Sequence, residues 1–258
     1  SAPIQHGVPE GPIWKSDASS ETLATMEFNK FGLHLPFYRF EKLLKDAGWP
    51  VNRSTINDWH AAVCTLLEPL YQLQRDQVMR ARYLAGDGCP MPVVNNEKHK
   101  TVKNYVVAFE DLETTVPIFL TTEGGSRSKI AIQGLLYGAS CRAFLCDAYA
   151  GYDWLGKVGV ILCRCNAHCR RKIEHAKREN PRLAAEGLLQ YQSIYSVEDI
   201  CKRDQLEGQK RTDLRNELAR PLWEVFKLWC CNVLLEVPEG SEMADACSYL
   251  LRHYDELT

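Results

Sequence analysis

RAFLCDAYAGYDWLGKVGVILCRCNAHCRRK, from Arg142 to Lys172, is an apolar run that ends in an acid, followed by a second apolar run that ends in a histidine and three basic residues. Ala143, Phe144, Leu145 and Cys146 form a short run bounded by Ala150 and Gly151, the pattern of a strand buried on both faces. The strand ends at Asp147. In open sheets of this kind ligands gather outside the carboxyl ends of strands, so an acid there is placed to hold a metal or a phosphate. Asp is also a turn former through its own backbone hydrogen bonding, so an Asx-turn or a helix cap is the other reading of Asp147.

Upstream, Tyr83 to Val94 places Asp87 inside a second strand-like run, between Gly86 and Gly88, which leave room for close approach to its backbone. Between the two acids lie the strand-like runs Tyr105 to Phe109 and Val116 to Thr121, then a helix-like run from Ser128 to Tyr137. Val158 to Cys163 reads as a fifth strand. Three successive strands, a helix, then a strand ending in Asp is the order of an α/β ribonuclease-H-like fold. It predicts a mixed five-stranded sheet flanked by helices, with Asp87 and Asp147 on adjacent strands and their carboxylates close enough to share a metal.

Seven stretches carry a family resemblance: HLPFYRFEKLL (His34 to Leu44), NRSTINDW (Asn52 to Trp59), AGDGCPMPV around Asp87, CDAYAGYD (Cys146 to Asp153), CNAHCRRKI (Cys165 to Ile173), LARPL (Leu218 to Leu222) and YLLRHYDELT (Tyr249 to Thr258). In this order, over roughly residues 33 to 258, the chain resembles transposases of the insertion-sequence 66 family, a DDE-type group. The resemblance implies metal-dependent DNA strand cleavage and strand transfer, with magnesium or manganese held by Asp87 and Asp147 as the first two acids of a triad. Asp153 is then structural. In the family the third acid, a Glu, follows a helical insertion, which here would place it beyond Thr258. Without the resemblance the choice is Glu174, on the helix after the fifth strand, which would make the chain a metal-dependent nuclease. With two acids at matching positions, the chain alone is expected to hold magnesium weakly and not to cleave.

Composition sets outer bounds. At 258 residues with 45% apolar content there is enough material for a real core, and a formal charge of −2 requires a local basic patch for any nucleic-acid contact rather than a basic surface throughout. No apolar run approaches bilayer length and no signal peptide is visible, so the chain reads as soluble, with no membrane partner. Eleven cysteines without a secretory signal read as free thiols of a reducing cytoplasm. Cys163, Cys165, His168 and Cys169 could be drawn as a zinc site, but the spacing departs from the paired-knuckle pattern. The absence of an initiating Met suggests a fragment.

Residues 1 to 20 read as an extended lead-in and 21 to 82 as a helical segment. Ser19 or Ser20 would cap a helix through Phe31, Pro36 would start a second that Gly48 ends, and Ser54 or Thr55 would cap a third. The third carries an apolar stripe of Ile56, Trp59, Val63, Leu66, Leu67 and Leu70, and Pro69 should kink or interrupt it. The second and third helices could form a helix-turn-helix presenting Arg53, Asn57 and His60, or an ordinary helical hairpin, which the lack of a basic cluster favours.

The catalytic core is expected over 83 to 175. A helix from Ala167 to Arg178 follows the fifth strand, and its His168, Arg170, Arg171, Lys172 and Arg178 are candidates for DNA phosphate contact at transposon ends and target. His168 could equally be a core histidine or one bonded near Asp147. Residues 176 to 258 keep helical spacing and read as an insertion block, within which the charged 201 to 217 segment is a solvated face. The alternative to an enzyme is a silent DNA-binding or scaffold fragment. A homo-oligomer on DNA is the assembly the resemblance implies.

Overall fold

The computed structural model describes residues 11–14, 16–95 and 99–258, which divide into two compact units, one reaching to Asp76 and the other Gln77–Thr258. Most of the expected lead-in over residues 1 to 20 lies outside the described residues. Its described part bends and turns at Pro12, Ile13 and Trp14, and Ile13 and Ala18 are buried against Leu23, Met26, Phe40, Ile56, Trp59 and Val63 as part of the first unit's core.

In the first unit, α1 (Ser20–Glu27) is capped by Ser19, whose side chain accepts the Thr22 N–H at 3.3 Å, and runs into a π-type turn, Phe28–Gly32. Helix α2 (Phe37–Asp46) starts after Pro36 and is stopped at Gly48, whose φ of 87° is open to glycine without strain. Helix α3 (Arg53–Met79) begins just ahead of the expected caps and, against expectation, runs without a break through Pro69. The carbonyl that Pro69 leaves without its helical donor, that of Thr65, belongs to an exposed stretch where water can satisfy it. The stripe is also shorter than its periodicity suggests. Ile56, Trp59 and Val63 are buried, whereas Leu66, Leu67 and Leu70 are exposed.

The second unit is built on a mixed five-stranded sheet of the ribonuclease-H-like kind, in the order β3-β2-β1-β4-β5. Strands β1 (Tyr83–Asn95), β2 (Lys100–Asp111) and β3 (Val116–Thr121) form an antiparallel meander, and β4 (Ala143–Cys146) and β5 (Ile161–Arg164) add in parallel on the other side of β1. Helix α4 (Lys129–Leu135), capped by Ser128, makes the crossover that a parallel β4 requires. Leu84, Phe109, Ile132, Phe144, Tyr152 and Leu155 pack as one core.

Two strand expectations need correction. Strand β4 alternates between half-buried Ala143 and Leu145 and buried Phe144 and Cys146, instead of being buried on both faces. The fifth strand starts at Ile161 rather than Val158, because a short helix, α5 (Trp154–Lys157), and a turn through Gly159 at φ 91° consume the start of the apolar run.

Beyond the sheet, α6 (Asn166–His175), a 3-10 turn (Ala176–Arg178), α7 (Pro181–Arg203), α8 (Gly208–Leu214), α9 (Arg220–Glu236), α10 (Glu242–Arg252) and α11 (Tyr254–Leu257) form a helical block. Its core includes Cys169, Ile173, Tyr191, Phe226, Cys247 and Leu250. The charged segment expected to be a solvated face is partly engaged: Arg211 and Arg215 both bond Glu198 of α7, each at 2.6 Å. The block ends where it begins. Arg164 at the end of β5 pairs with Glu256 of α11 at 2.5 Å, and the Asn166 amide donates to the Leu257 carbonyl at 2.9 Å.

Candidate active site

Register brings the two acids side by side. Gly86 of β1 is aligned with Cys146 of β4, and Asp87 and Asp147 are the next residue of each strand path. Gly86 is required at that level, since a Cβ there would lie 2.6 Å from the Phe144 ring and 3.1 Å from that of Phe109. Asp87 is exposed and Asp147 half-buried. Tyr152, completely buried, feels both acids: burial pushes its hydroxyl well above the ordinary tyrosine range, Arg127 pulls it back, and both Asp147 and Asp87 raise it further.

The Asx-turn reading of Asp147 is realised in the geometry. One carboxylate oxygen, Oδ1, accepts the Tyr149 N–H at 3.1 Å, which is an Asx-turn, while Oδ2 accepts from Arg127 Nη2 at 2.8 Å. Arg127 was not among the residues singled out from the sequence. It comes from the loop before α4, where Gly124 and Gly125 have φ of 68° and 65°, and a Cβ on Gly125 would sit 2.1 Å from the Asn104 side chain. Its guanidinium lies 4.1 Å over the Tyr149 ring, and the Tyr149 hydroxyl donates back to the Arg127 carbonyl. Burial works against its charge, but the Asp147 carboxylate more than restores it and holds Arg127 above the usual arginine range.

A groove of about 420 Å³ opens beside this pair, lined by Arg127, Asp147, Tyr149, His168, Arg171, Lys172, His175 and Tyr249. Its α6 wall is one helical face, since His168, Arg171, Lys172 and His175 follow i, i+3, i+4, i+7 spacing. The other basic candidates stand elsewhere. Arg170 is engaged with Glu174 at 3.2 Å, both sides of that pair being about half-exposed, and neither residue lines the groove; Arg178 lies in the turn after α6. Asp87 does not line the groove either, and among the described residues Glu174, the alternative third acid, is not gathered with Asp87 and Asp147 into a three-acid cluster. A larger cavity of about 720 Å³ lies within the helical block, lined by Glu198, Arg215, Trp223 and Tyr254 among others. Its Glu198 is already neutralised by Arg211 and Arg215, and neither Asp87 nor Asp147 lines it.

The donor set suits a hard divalent cation in kind, because both side chains offer carboxylate oxygen. It falls short in number: among the described residues no three His, Cys, Asp or Glu side chains are gathered as a metal site. Three buried polar atoms without a protein partner belong to residues in this region, namely Arg127 Nε and His168 Nδ1 of the groove beside Asp147, and the Tyr152 hydroxyl. Such orphans mark places where water or a ligand completes the bonding. His168 is therefore at the groove with a free nitrogen, rather than bonded to Asp147. Of the drawn zinc ligands, Cys169 is completely buried in the helical core, and all eleven cysteines are free thiols.

Asp153 belongs to a different cluster. Arg164, buried and unremarked in the sequence, bonds Asp153 at 2.7 Å, Glu256 at 2.5 Å and the Asp147 carbonyl at 2.9 Å. On α3, the candidate base-reader His60 is held by Glu27 at 2.9 Å and packs against the rings of Phe31 and Phe37, an arrangement that fits a helical hairpin.

The profile of the family described as "Transposase IS66 family" matches residues 15–258. Two proteins of Sinorhizobium fredii are similar to the chain: "Uncharacterized protein y4hP", 24% identical over 97% of this chain and 48% of that protein, and "Uncharacterized protein y4qI", 24% identical over 91% and 46%. The chain spans about half the length of these curated relatives. No helix among the described residues is long and apolar enough to cross a membrane.

Proposed function

The chain belongs to the IS66 transposase family, and on that premise we propose that it carries the first two metal-holding acids, Asp87 and Asp147, for DNA strand cleavage and strand transfer in transposition. The observation that carries this reading is the register that sets the two acids level on adjacent strands, next to buried polar atoms without partners. Magnesium or manganese bound there would supply an activated oxygen nucleophile and neutralise charge on the scissile phosphate.

The protein's own groups have separate tasks in this reading. Asp87, within β1, and Asp147, just past the end of β4, hold the metal, and the Asx-turn to Tyr149 fixes the Asp147 carboxylate in orientation. Arg171, Lys172, His168 and His175 offer one helical face to the phosphates of transposon end or target DNA. Tyr152 and Leu155 belong to the buried core packed with the sheet strands. Among the described residues no third carboxylate is gathered with Asp87 and Asp147, Glu174 being paired with Arg170, so in this reading the third acid is supplied from elsewhere.

The test uses a labelled duplex carrying element ends, incubated with the chain and with a version extended past Thr258, in magnesium and in manganese. Cleavage and joining that disappear on Asp87→Asn or Asp147→Asn, and survive Glu174→Gln, are expected. Loss of cleavage on Glu174→Gln would favour the nuclease reading. Duplex binding without cleavage under any condition would favour the silent scaffold.

A further inference from the structure

Arg127 occupies the Asp147 oxygen that a metal would need. Its Nη2 is 2.8 Å from Oδ2, and the other oxygen is already taken by the Tyr149 amide. A divalent cation on Oδ2 with a guanidinium still in place would put two positive groups on one oxygen, which like-charge repulsion disfavours. The head group has somewhere else to go. It lines the groove together with Arg171 and Lys172, and its Nε is buried without a partner, so part of its donor fork is unused in the present pairing. Its stem is held independently of Asp147, by the Tyr149 ring beneath it, by the Tyr149 hydroxyl on its carbonyl, and by the glycine at 88, where a Cβ would lie 2.9 Å from Nε.

We propose that Arg127 is the resident counter-cation of Asp147, displaced when a divalent metal binds, and that an oxyanion in the adjoining groove takes up the displaced guanidinium. This rests on the reading of Asp147 as a metal ligand. One fork serves either anion, so whatever draws it off Asp147 frees an oxygen for metal. Metal and phosphate-like ligand therefore assist each other, and by linkage each does so to the same degree. Guanidinium suits the second role because it can meet two oxygens of a tetrahedral anion at once. The device keeps Asp147 neutralised until metal and DNA phosphate arrive together.

The experiment titrates manganese into the chain and reads free manganese by its electron paramagnetic resonance signal, in chloride and in sulfate at equal ionic strength, for the unaltered chain, Arg127→Gln, Arg127→Lys and Asp147→Asn. Expected are loss of binding in Asp147→Asn and roughly tenfold tighter binding in Arg127→Gln, the worth of about one charge-assisted hydrogen bond. Sulfate should tighten manganese binding to the unaltered chain and leave Arg127→Gln unaffected. Arg127→Lys should bind as the unaltered chain does, with a weaker sulfate effect. If Asp147→Asn loses binding while Arg127→Gln binds no tighter, or if sulfate has no effect on the unaltered chain, the counter-cation role is overturned and the metal reading stands. Undiminished binding in Asp147→Asn, or none in any form, overturns the metal reading and this inference with it. The sulfate arm on the unaltered chain needs no variant to fold.

Discussion

Arg164 at the end of β5 donates to the backbone carbonyl of Asp147 at 2.9 Å, so the residue that closes one strand fixes the path of the chain just past its neighbour. The same side chain bonds Asp153 and Glu256, and burial, which alone would lower its pKa, is outweighed by these carboxylates, which keep it charged. Arg164→Met is expected to destabilise the chain by about 2–3 kcal/mol, read by urea unfolding. The cost stays below that of a stranded buried charge because Asp153 and Glu256 are partly exposed and can rehydrate. A loss below about 0.5 kcal/mol, the scale of an ordinary surface substitution, would mean the network is ornamental.

Gly86→Ala should cost about 1–3 kcal/mol by overpacking, since its new Cβ meets two completely buried rings, Phe144 and Phe109. Because Gly86 and Cys146 are the last aligned pair below the two acids, the substitution should also weaken manganese binding. Thermal unfolding and the manganese titration check the two effects separately.

Replacing Arg171 and Lys172 together by Ala should reduce the log–log salt slope of duplex binding by about 1.8, at about 0.9 for each DNA phosphate that the protein no longer neutralises. Arg170 and Arg178 replaced together should leave the slope unchanged, because neither lines the groove. Equal effects from the two double variants would return α6 to a merely basic surface.

Glu198 gives a pH signature. The Arg215 hydrogen bonds, opposed by burial and reinforced by Arg211, push its carboxyl from 4.5 down to about 2. A depressed folded value means the stabilisation is fully present above pH 4.5 and is lost as pH falls toward about 2. With Arg215 about half-exposed, solvent screening leaves about 1 kcal/mol of it. Unfolding midpoints compared at neutral pH and near pH 3 should show this acid-side loss in the unaltered chain and a smaller one in Glu198→Gln.

Asp87 and Asp147 could be singled out in the sequence because one sits inside and the other ends a short strand-like run with turn residues at hand, and the order of the runs between them is that of a ribonuclease-H-like sheet. The strand order, the crossover helix and the helical block were legible for the same reason. Arg127 was not, because its place depends on two left-handed glycines that turn the chain back toward Asp147, and Thr122 to Ser128 reads only as a loop. Arg164 hid between Cys163 and Cys165, where the eye goes to sulfur, and its partner Glu256 is distant in sequence. Among the basic residues of α6, charge alone did not separate Arg171 and Lys172 from Arg170, which a single helical step turns toward Glu174. Leu66, Leu67 and Leu70 fit a stripe that periodicity could extend but burial does not.

The helical block leaves the sheet at Asn166 and comes back to it at Leu257, the two joined by a 2.9 Å hydrogen bond. A detour with its exit and return side by side leaves the strand order as it is, while its first helix walls the groove and its last supplies Glu256 to Arg164. Lengthening it, shortening it or exchanging it for a different bundle changes loop-closure entropy only slowly with length. Changes of length can thus be taken up in α7 to α9 while the α6 wall of the groove, Glu256 and the spacing of Asp87 and Asp147 stay as they are.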